Sequence, residues 1–161
     1  ARGVLGQLGQ ARGLVHGVTN DGVFEAIRAA DVPGNDVPRR HANARLQLQP
    51  AQLAAQLAGV RAATPGTSLV DVDKACRDII EDAGYGEYFV HSTGHGVGLD
   101  VHEAPSAART GTGTLAEGMT LTIEPGIYLP GKAGVRIEDT LIITAAAPRV
   151  ITEFPTDSTV L

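Results

Sequence analysis

Three histidines fall within twelve residues, as His91-Ser-Thr-Gly-His95-Gly-Val-Gly-Leu-Asp-Val-His102-Glu-Ala-Pro105, in a stretch dense in glycine. Neutral imidazole is the commonest metal ligand and a ready proton carrier, and glycines let backbone come close to a bound group. Any one of these histidines reads more simply as a hydrogen-bonded structural residue, whereas three in a single Gly-rich loop resist that explanation. His91 and His95 have the i, i+4 separation of a helical zinc pair, but Gly94, Gly96 and Gly98 oppose a helix and no glutamate follows His91, which excludes the helical zinc-protease motif. The Gly94-x-Gly96-x-Gly98 run lacks the dinucleotide spacing and no amphipathic helix follows it, so a phosphate loop is excluded too. Two glutamates complete the set: Glu124 in Thr122-Ile-Glu-Pro-Gly126 and Glu138 in Val135-Arg-Ile-Glu-Asp139. A lone glutamate on a strand usually faces solvent, so the order of the whole set carries more weight than either residue.

The elements that must position these residues follow from periodicity. Pro50 suits a first helical position, and Leu53, Leu57 and Val60 recur at helical spacing until Pro65-Gly66, which predicts a helix over about 50–63. Ser68 stands at an N-cap, Asp71 three residues on, and Val72, Ala75, Cys76, Ile79, Ile80 and Ala83 form an apolar stripe ending at Gly84, predicting a second helix over 69–83. Tyr88-Phe89-Val90 reads as a short strand, with a loop from Gly94 to Gly98. Met119 to Glu124 and Val135 to Thr144 alternate as strands, each aiming a glutamate at its polar face, and Arg149 to Thr152 reads as a last strand. Residues 1–20 are poorly specified, Gly22 to Ala30 suit two helical turns, Asp31 to Pro38 is dense in turn residues, and 39–49 carries no clear period.

With 161 residues and 43% apolar content the chain can bury a core of its own. A net charge of −5, with no basic cluster beyond Arg39-Arg40, gives no footprint for nucleic acid or anionic lipid. No apolar run is long enough for a membrane span and no signal peptide is recognisable at the amino end, so a cytoplasmic protein is expected. The single cysteine, Cys76, sits among Asp73, Lys74 and Asp78 on the second helix and reads as a packed or half-exposed thiol without a catalytic part.

Three motifs in order, His91-x3-His95-Gly-x-Gly-x3-His102-Glu-x-Pro, Thr122-Ile-Glu-Pro-Gly-Ile-Tyr128 and Gly134-Val-Arg-Ile-Glu-Asp139, resemble the Xaa-Pro aminopeptidase and prolidase branch of the M24 pita-bread metallopeptidases. The likeness covers about residues 50–161, the carboxy-terminal half of such a domain; methionine aminopeptidases share parts of it but lack a histidine at the place of His91. The resemblance implies an α+β fold in which a curved antiparallel sheet is backed by outer helices. It implies that His95, Glu124 and Glu138 are three of the family's five metal ligands. His102 would hydrogen-bond the scissile carbonyl and its developing oxyanion, His91 would position substrate, Arg136 would order the substrate side, and Tyr128 would be structural. The cofactor implied is divalent metal, Mn, Co, Zn or Fe, two ions in the family and one or none here, and the substrate is a proline-containing peptide cut before the proline. Glu124 would carry the proton from the attacking water to the leaving nitrogen.

The family's other two ligands are aspartates in an amino-terminal Asp-x-Gly…Ser-Asp-x-Thr-Arg-Thr context that is absent here, and Asp21, Asp31 and Asp36 are not assigned to that part. Residues 1–45 are therefore read as a segment that does not match the family, 46–161 as the carboxy-terminal part of the domain, and the amino-terminal half as incomplete. Impaired activity follows as an expectation, with a homo-oligomer or a partner chain completing the sheet. The alternatives are a catalytically silent binding or assembly module, a truncated gene product, and a mononuclear hydrolase using His95, Glu124 and Glu138 alone.

Overall fold

The computed structural model describes residues 14–18, 24–28 and 37–153, with side chains from Leu48 onward. Helix α1 spans Val37–Ala62 and α2 spans Leu69–Asp82. The strands are β1 Leu14–Val18, β2 Phe24–Arg28, β3 Gly94–Gly96, β4 Glu103–Ala107, β5 Thr120–Ile123, β6 Gly126–Leu129, β7 Ala133–Arg136, β8 Asp139–Ile142 and β9 Arg149–Val150.

Helix α2 forms as its pattern predicts. The Ser68 hydroxyl accepts from the Asp71 amide at 3.1 Å, Leu69, Val72, Cys76 and Ile80 are buried, and Gly84 takes the positive φ of 82° that ends the run. Helix α1 departs from expectation at both its start and its face. It begins at Val37, so Pro38 occupies the first turn where a missing N–H costs nothing, and Pro50 lies inside, where one lost backbone bond is tolerated. The buried face is Leu48, Gln52, Ala55, Gln56 and Gly59, with Ala63 buried just past its end, whereas Leu57 of the expected apolar stripe is exposed. Gly59 sets this rotation: a Cβ there would stand 2.4 Å from Cys76 Sγ and 2.7 Å from Ile123 Cγ2, so the helix lies tight against α2 and β5 where its side chain is smallest.

Three small sheets surround the site. One has the order β2-β1-β7-β6, in which β6 and β7 are an antiparallel hairpin from Gly126↔Arg136 to Leu129↔Ala133, and β1 meets β7 in parallel at Gly17↔Arg136. A second pairs β3 with β4, His95 opposite Ser106, with an irregularity between His95 and Gly96. The third has the order β5-β8-β9, Thr122 opposite Thr140. Leu121, Ile123, Ile127, Leu141 and Ile143 pack with Val72, Cys76, Ile80, Phe89 and Leu115 in one core.

Several expectations are corrected. Leu14–Val18, inside the stretch read as poorly specified, and Phe24–Arg28, read as helical turns, are paired antiparallel strands: cross-strand pairing overrides weak local preference. The Tyr88-Phe89-Val90 strand is replaced by a single 3₁₀ turn at Gly86–Tyr88, and Gly94–Gly96, read as loop, is a strand. The long strand over 135–144 divides into β7 and β8, which pair in different sheets, so Ile137 and Glu138 form the corner where the chain changes partners. The final strand is confined to Arg149–Val150. Asp21, Asp31 and Asp36 lie outside the described residues, as does most of the Asp31 to Pro38 turn; α1 runs continuously through position 45.

Candidate metal and peptide site

The polar face of β5 is buried under β3. Thr122 and Glu124 are buried, and the oxygen atoms of Thr120 and Thr122 serve β3 and the residues after it. The Thr122 hydroxyl accepts from the His95 amide at 3.0 Å and donates to Glu124 Oε1 at 3.0 Å; the Thr120 hydroxyl donates to the Val97 carbonyl. The Glu124 amide in turn donates to the Thr93 carbonyl at 2.7 Å. Gly94 permits this approach, since a Cβ there would sit 1.7 Å from the Thr122 carbonyl oxygen.

This framework brings the His95 Nε2 atom to 3.0 Å from Glu124 Oε1. His95 Nδ1 lies 2.9 Å from the Gly96 carbonyl, which can only accept, so Nδ1 carries the proton and a neutral His95 turns an unprotonated Nε2 toward the carboxylate. Two lone-pair acceptors at that distance repel unless a proton or a cation lies between them. His102, exposed, places its ring over His95 with centroids 4.4 Å apart.

Arg136 joins the two glutamates from the far side, Nη1 at 3.8 Å from Glu124 Oε2 and Nη2 at 3.7 Å from Glu138 Oε2. These are ion pairs at longer than hydrogen-bond range. His91 holds its proton on Nδ1 by the Ser92 carbonyl at 2.7 Å and accepts the Tyr128 hydroxyl on Nε2 at 3.2 Å. Gly126 is required beside them, because a Cβ would lie 2.6 Å from the Tyr128 hydroxyl and 2.7 Å from His91 Nε2. Burial pushes the Tyr128 phenol above its ordinary value, with the adjacent Arg136 charge opposing. Tyr128 thus touches site residues, although its type and place in a Gly-Ile-Tyr run gave no sign of it.

Two further residues escaped the sequence reading. Gln52 donates to the Pro125 carbonyl and Gln56 donates to Asp139 Oδ2 at 2.5 Å, so α1 grips the residue after each glutamate. The legible signal was a pair of amides at i, i+4 on the same face as Ala55 and Gly59. Burial pushes Asp139 up to about 6, with the Gln56 hydrogen bond pulling the other way.

The donor chemistry, a neutral imidazole and carboxylates in a largely buried place, fits a divalent cation of the Mn, Fe, Co or Zn type. The pair His95 and Glu124 converge, and Glu138 reaches them through Arg136; among the described residues no group of three or more His, Cys, Asp or Glu side chains is gathered about one point.

Residues 32–145 match metallopeptidase family M24. Over 101 residues the chain is 50% identical to the Xaa-Pro dipeptidase of Pyrococcus furiosus, covering 63% of this chain and 29% of that protein. Over 90 residues it is 56% identical to the Xaa-Pro dipeptidase of Lactobacillus delbrueckii subsp. lactis, covering 56% of this chain and 24% of that one. The crystal structure of the prolidase from Pyrococcus horikoshii OT3 superposes with a TM-score of 0.70 at 44% identity, over 71% of this chain and 33% of that chain. The chain spans about a third of the length of these relatives or less.

Proposed function

We propose, from the premise that this chain belongs to metallopeptidase family M24, that it carries the carboxy-terminal ligand set of a metal-dependent hydrolase acting on the peptide bond before proline. Its fold is α+β, part of the pita-bread frame of the prolidases it resembles. The observation that supports the reading most is the convergence of His95 Nε2 and Glu124 Oε1 to 3.0 Å, an imidazole and a carboxylate aimed at one point. In this reading His95, Glu124 and Glu138 hold a divalent metal, manganese first among the candidates. Such an ion, when bound, supplies Lewis acidity and lowers the proton affinity of water.

The chain's own residues do the rest. Glu124, fixed by the Thr122 hydroxyl, takes a proton and returns it to the departing nitrogen. His102, beside His95 and open to solvent, donates to the scissile carbonyl as its charge grows. His91 orients substrate with its face set by Tyr128, and Arg136 bridges the two carboxylates while bringing positive charge to the substrate side. One imidazole and two glutamates are the share of one cation; a second needs carboxylates from elsewhere in this chain or from a second chain. The working compartment is the cytoplasm, consistent with a buried free thiol at Cys76.

The test is release of the amino-terminal residue from an Xaa-Pro dipeptide and tripeptide in the presence of Mn²⁺. The expected result is weak, chelator-sensitive release that falls about 100-fold or more in Glu124→Gln, the range for loss of a positioned acid or base. No release with Mn, Co, Zn or Fe, together with no retained metal, overturns the reading and leaves a silent binding or assembly module.

A further inference from the structure

The segment Phe89–Thr93, which carries His91 and supplies the carbonyl for the Glu124 amide, has little regular structure to hold it, since it lies between a 3₁₀ turn and β3. What holds it is an ion pair on α2. Asp73 and Arg77, one helical turn apart, are both buried, and they pair through Arg77 Nε to Asp73 Oδ2 at 2.7 Å and Nη2 to Oδ1 at 2.8 Å. Arg77 then donates Nη1 to the Phe89 carbonyl at 2.9 Å and Nη2 to the His91 carbonyl at 3.0 Å, with its plane 4.0 Å from the Phe89 ring centroid. Asp73 Oδ1 accepts the Thr93 hydroxyl at 2.9 Å and the Thr93 amide at 3.1 Å, an amide that also donates to the Ala107 carbonyl.

We infer that Asp73 and Arg77 are positioning residues for the metal and peptide site: a buried clamp on α2 that grips alternate residues Phe89, His91 and Thr93 and so sets the places of His91 and Glu124. Breaking a buried pair this well connected leaves an uncompensated charge, and a planar guanidinium is needed to reach Asp73 and two carbonyls at once, a reach that the point charge of lysine lacks. The inference rests on the proposed metal reading only in one of its two measurements.

The test compares Asp73→Asn, which keeps shape and removes the charge, and Arg77→Lys with Ile80→Val, a core change on the same helix, in the full chain. Two quantities are followed: hydrogen exchange at the Glu124 amide, two hydrogen bonds away from Asp73, and affinity for Mn²⁺ alone. The expected result is a loss of at least about tenfold in Glu124 protection and in Mn²⁺ affinity for both clamp variants, the size of effect that supporting hydrogen bonds have on ligands, with neither moved in Ile80→Val. If both quantities stay within about twofold of the Ile80→Val values, the clamp is structural only and the inference falls. Where Asp73→Asn fails to fold, Thr93→Val, which removes the hydroxyl bond to Asp73 together with the hydroxyl's contact with the Cys76 thiol but keeps the Thr93 amide bond to Asp73, is expected to shift both in the same direction by less, and no shift there overturns the inference. Absence of Mn²⁺ binding by the unaltered chain sinks the metal reading, and Glu124 exchange then decides the clamp by itself.

Discussion

Cys76 lies fully buried against Gly59 and Ile123 at the contact of the two helices, and burial pushes its thiol up to about 12 while a Thr93 hydrogen bond opposes the shift. The thiolate is the reactive form, so native protein at pH 8 is expected to leave a thiol reagent almost unconsumed, and protein unfolded in urea to react at once. Rapid modification of the native chain would place that thiol elsewhere. Asp139 gives the pH counterpart. Its carboxyl rises from 3.8 unfolded to about 6 folded, so between these values the native chain holds a proton that the unfolded chain releases. Stability from this group therefore grows as pH falls from 6 toward 4 and is lost again as pH climbs through 6. In metal-free protein, Asp139→Asn is expected to flatten that slope in urea titrations and to raise the midpoint at pH 7; an unchanged profile would mean that another group carries it.

At the scale of elements, β5 and β3 belong to different sheets, and side chain to backbone bonds hold them together. Thr120 and Thr122 give the strand its β-branched character, and the same hydroxyls satisfy the buried amide of His95 and the carbonyl of Val97. The approach leaves no room for a methyl group at residue 94. Gly94→Ala, with its Cβ 1.7 Å from the Thr122 carbonyl oxygen, is expected to cost about 3 kcal/mol or more, at the upper end of overpacking, and a melting point within a degree of the unaltered chain would show that β3 can move aside. Helix α1 was legible as a helix, yet its buried face was not. Counting apolar residues favoured Leu53, Leu57 and Val60, whereas the small Gly59 and the two glutamines decided which side meets β5, Pro125 and the start of β8 at Asp139.

For the whole molecule, three of the exposed apolar side chains belong to the segments that carry the site. Val90, Leu99 and Val101 are more than half exposed on the segments that flank His91 and His102, and Leu57 is exposed on α1. Apolar side chains this open beside a site suggest a surface completed by more chain, from a second copy or another partner. Sedimentation at micromolar concentration is expected to show species larger than a monomer that shift toward the monomer in Leu99→Ser; monomeric behaviour at every concentration would remove self-association as the way the surface is covered. Among the described residues no helix is long and apolar enough to cross a membrane.

Residue types and order alone determined the family, because three motifs whose chemistry depends on local backbone, with glycines that admit close approach and glutamates at fixed places among them, survive reading in one dimension. They also gave the frame of α2, whose cap and stripe are local. Only the tertiary structure decided that the strand from Val135 breaks at Glu138 to pair with two sheets, that Phe24–Arg28 extends and pairs instead of coiling, that Gln52, Gln56 and Tyr128 touch the site, and that Asp73 and Arg77 reach across to His91. Each of these is a contact between residues far apart in the chain, and such contacts leave no period in the sequence because their energy comes from which surfaces meet and which buried polar groups find partners.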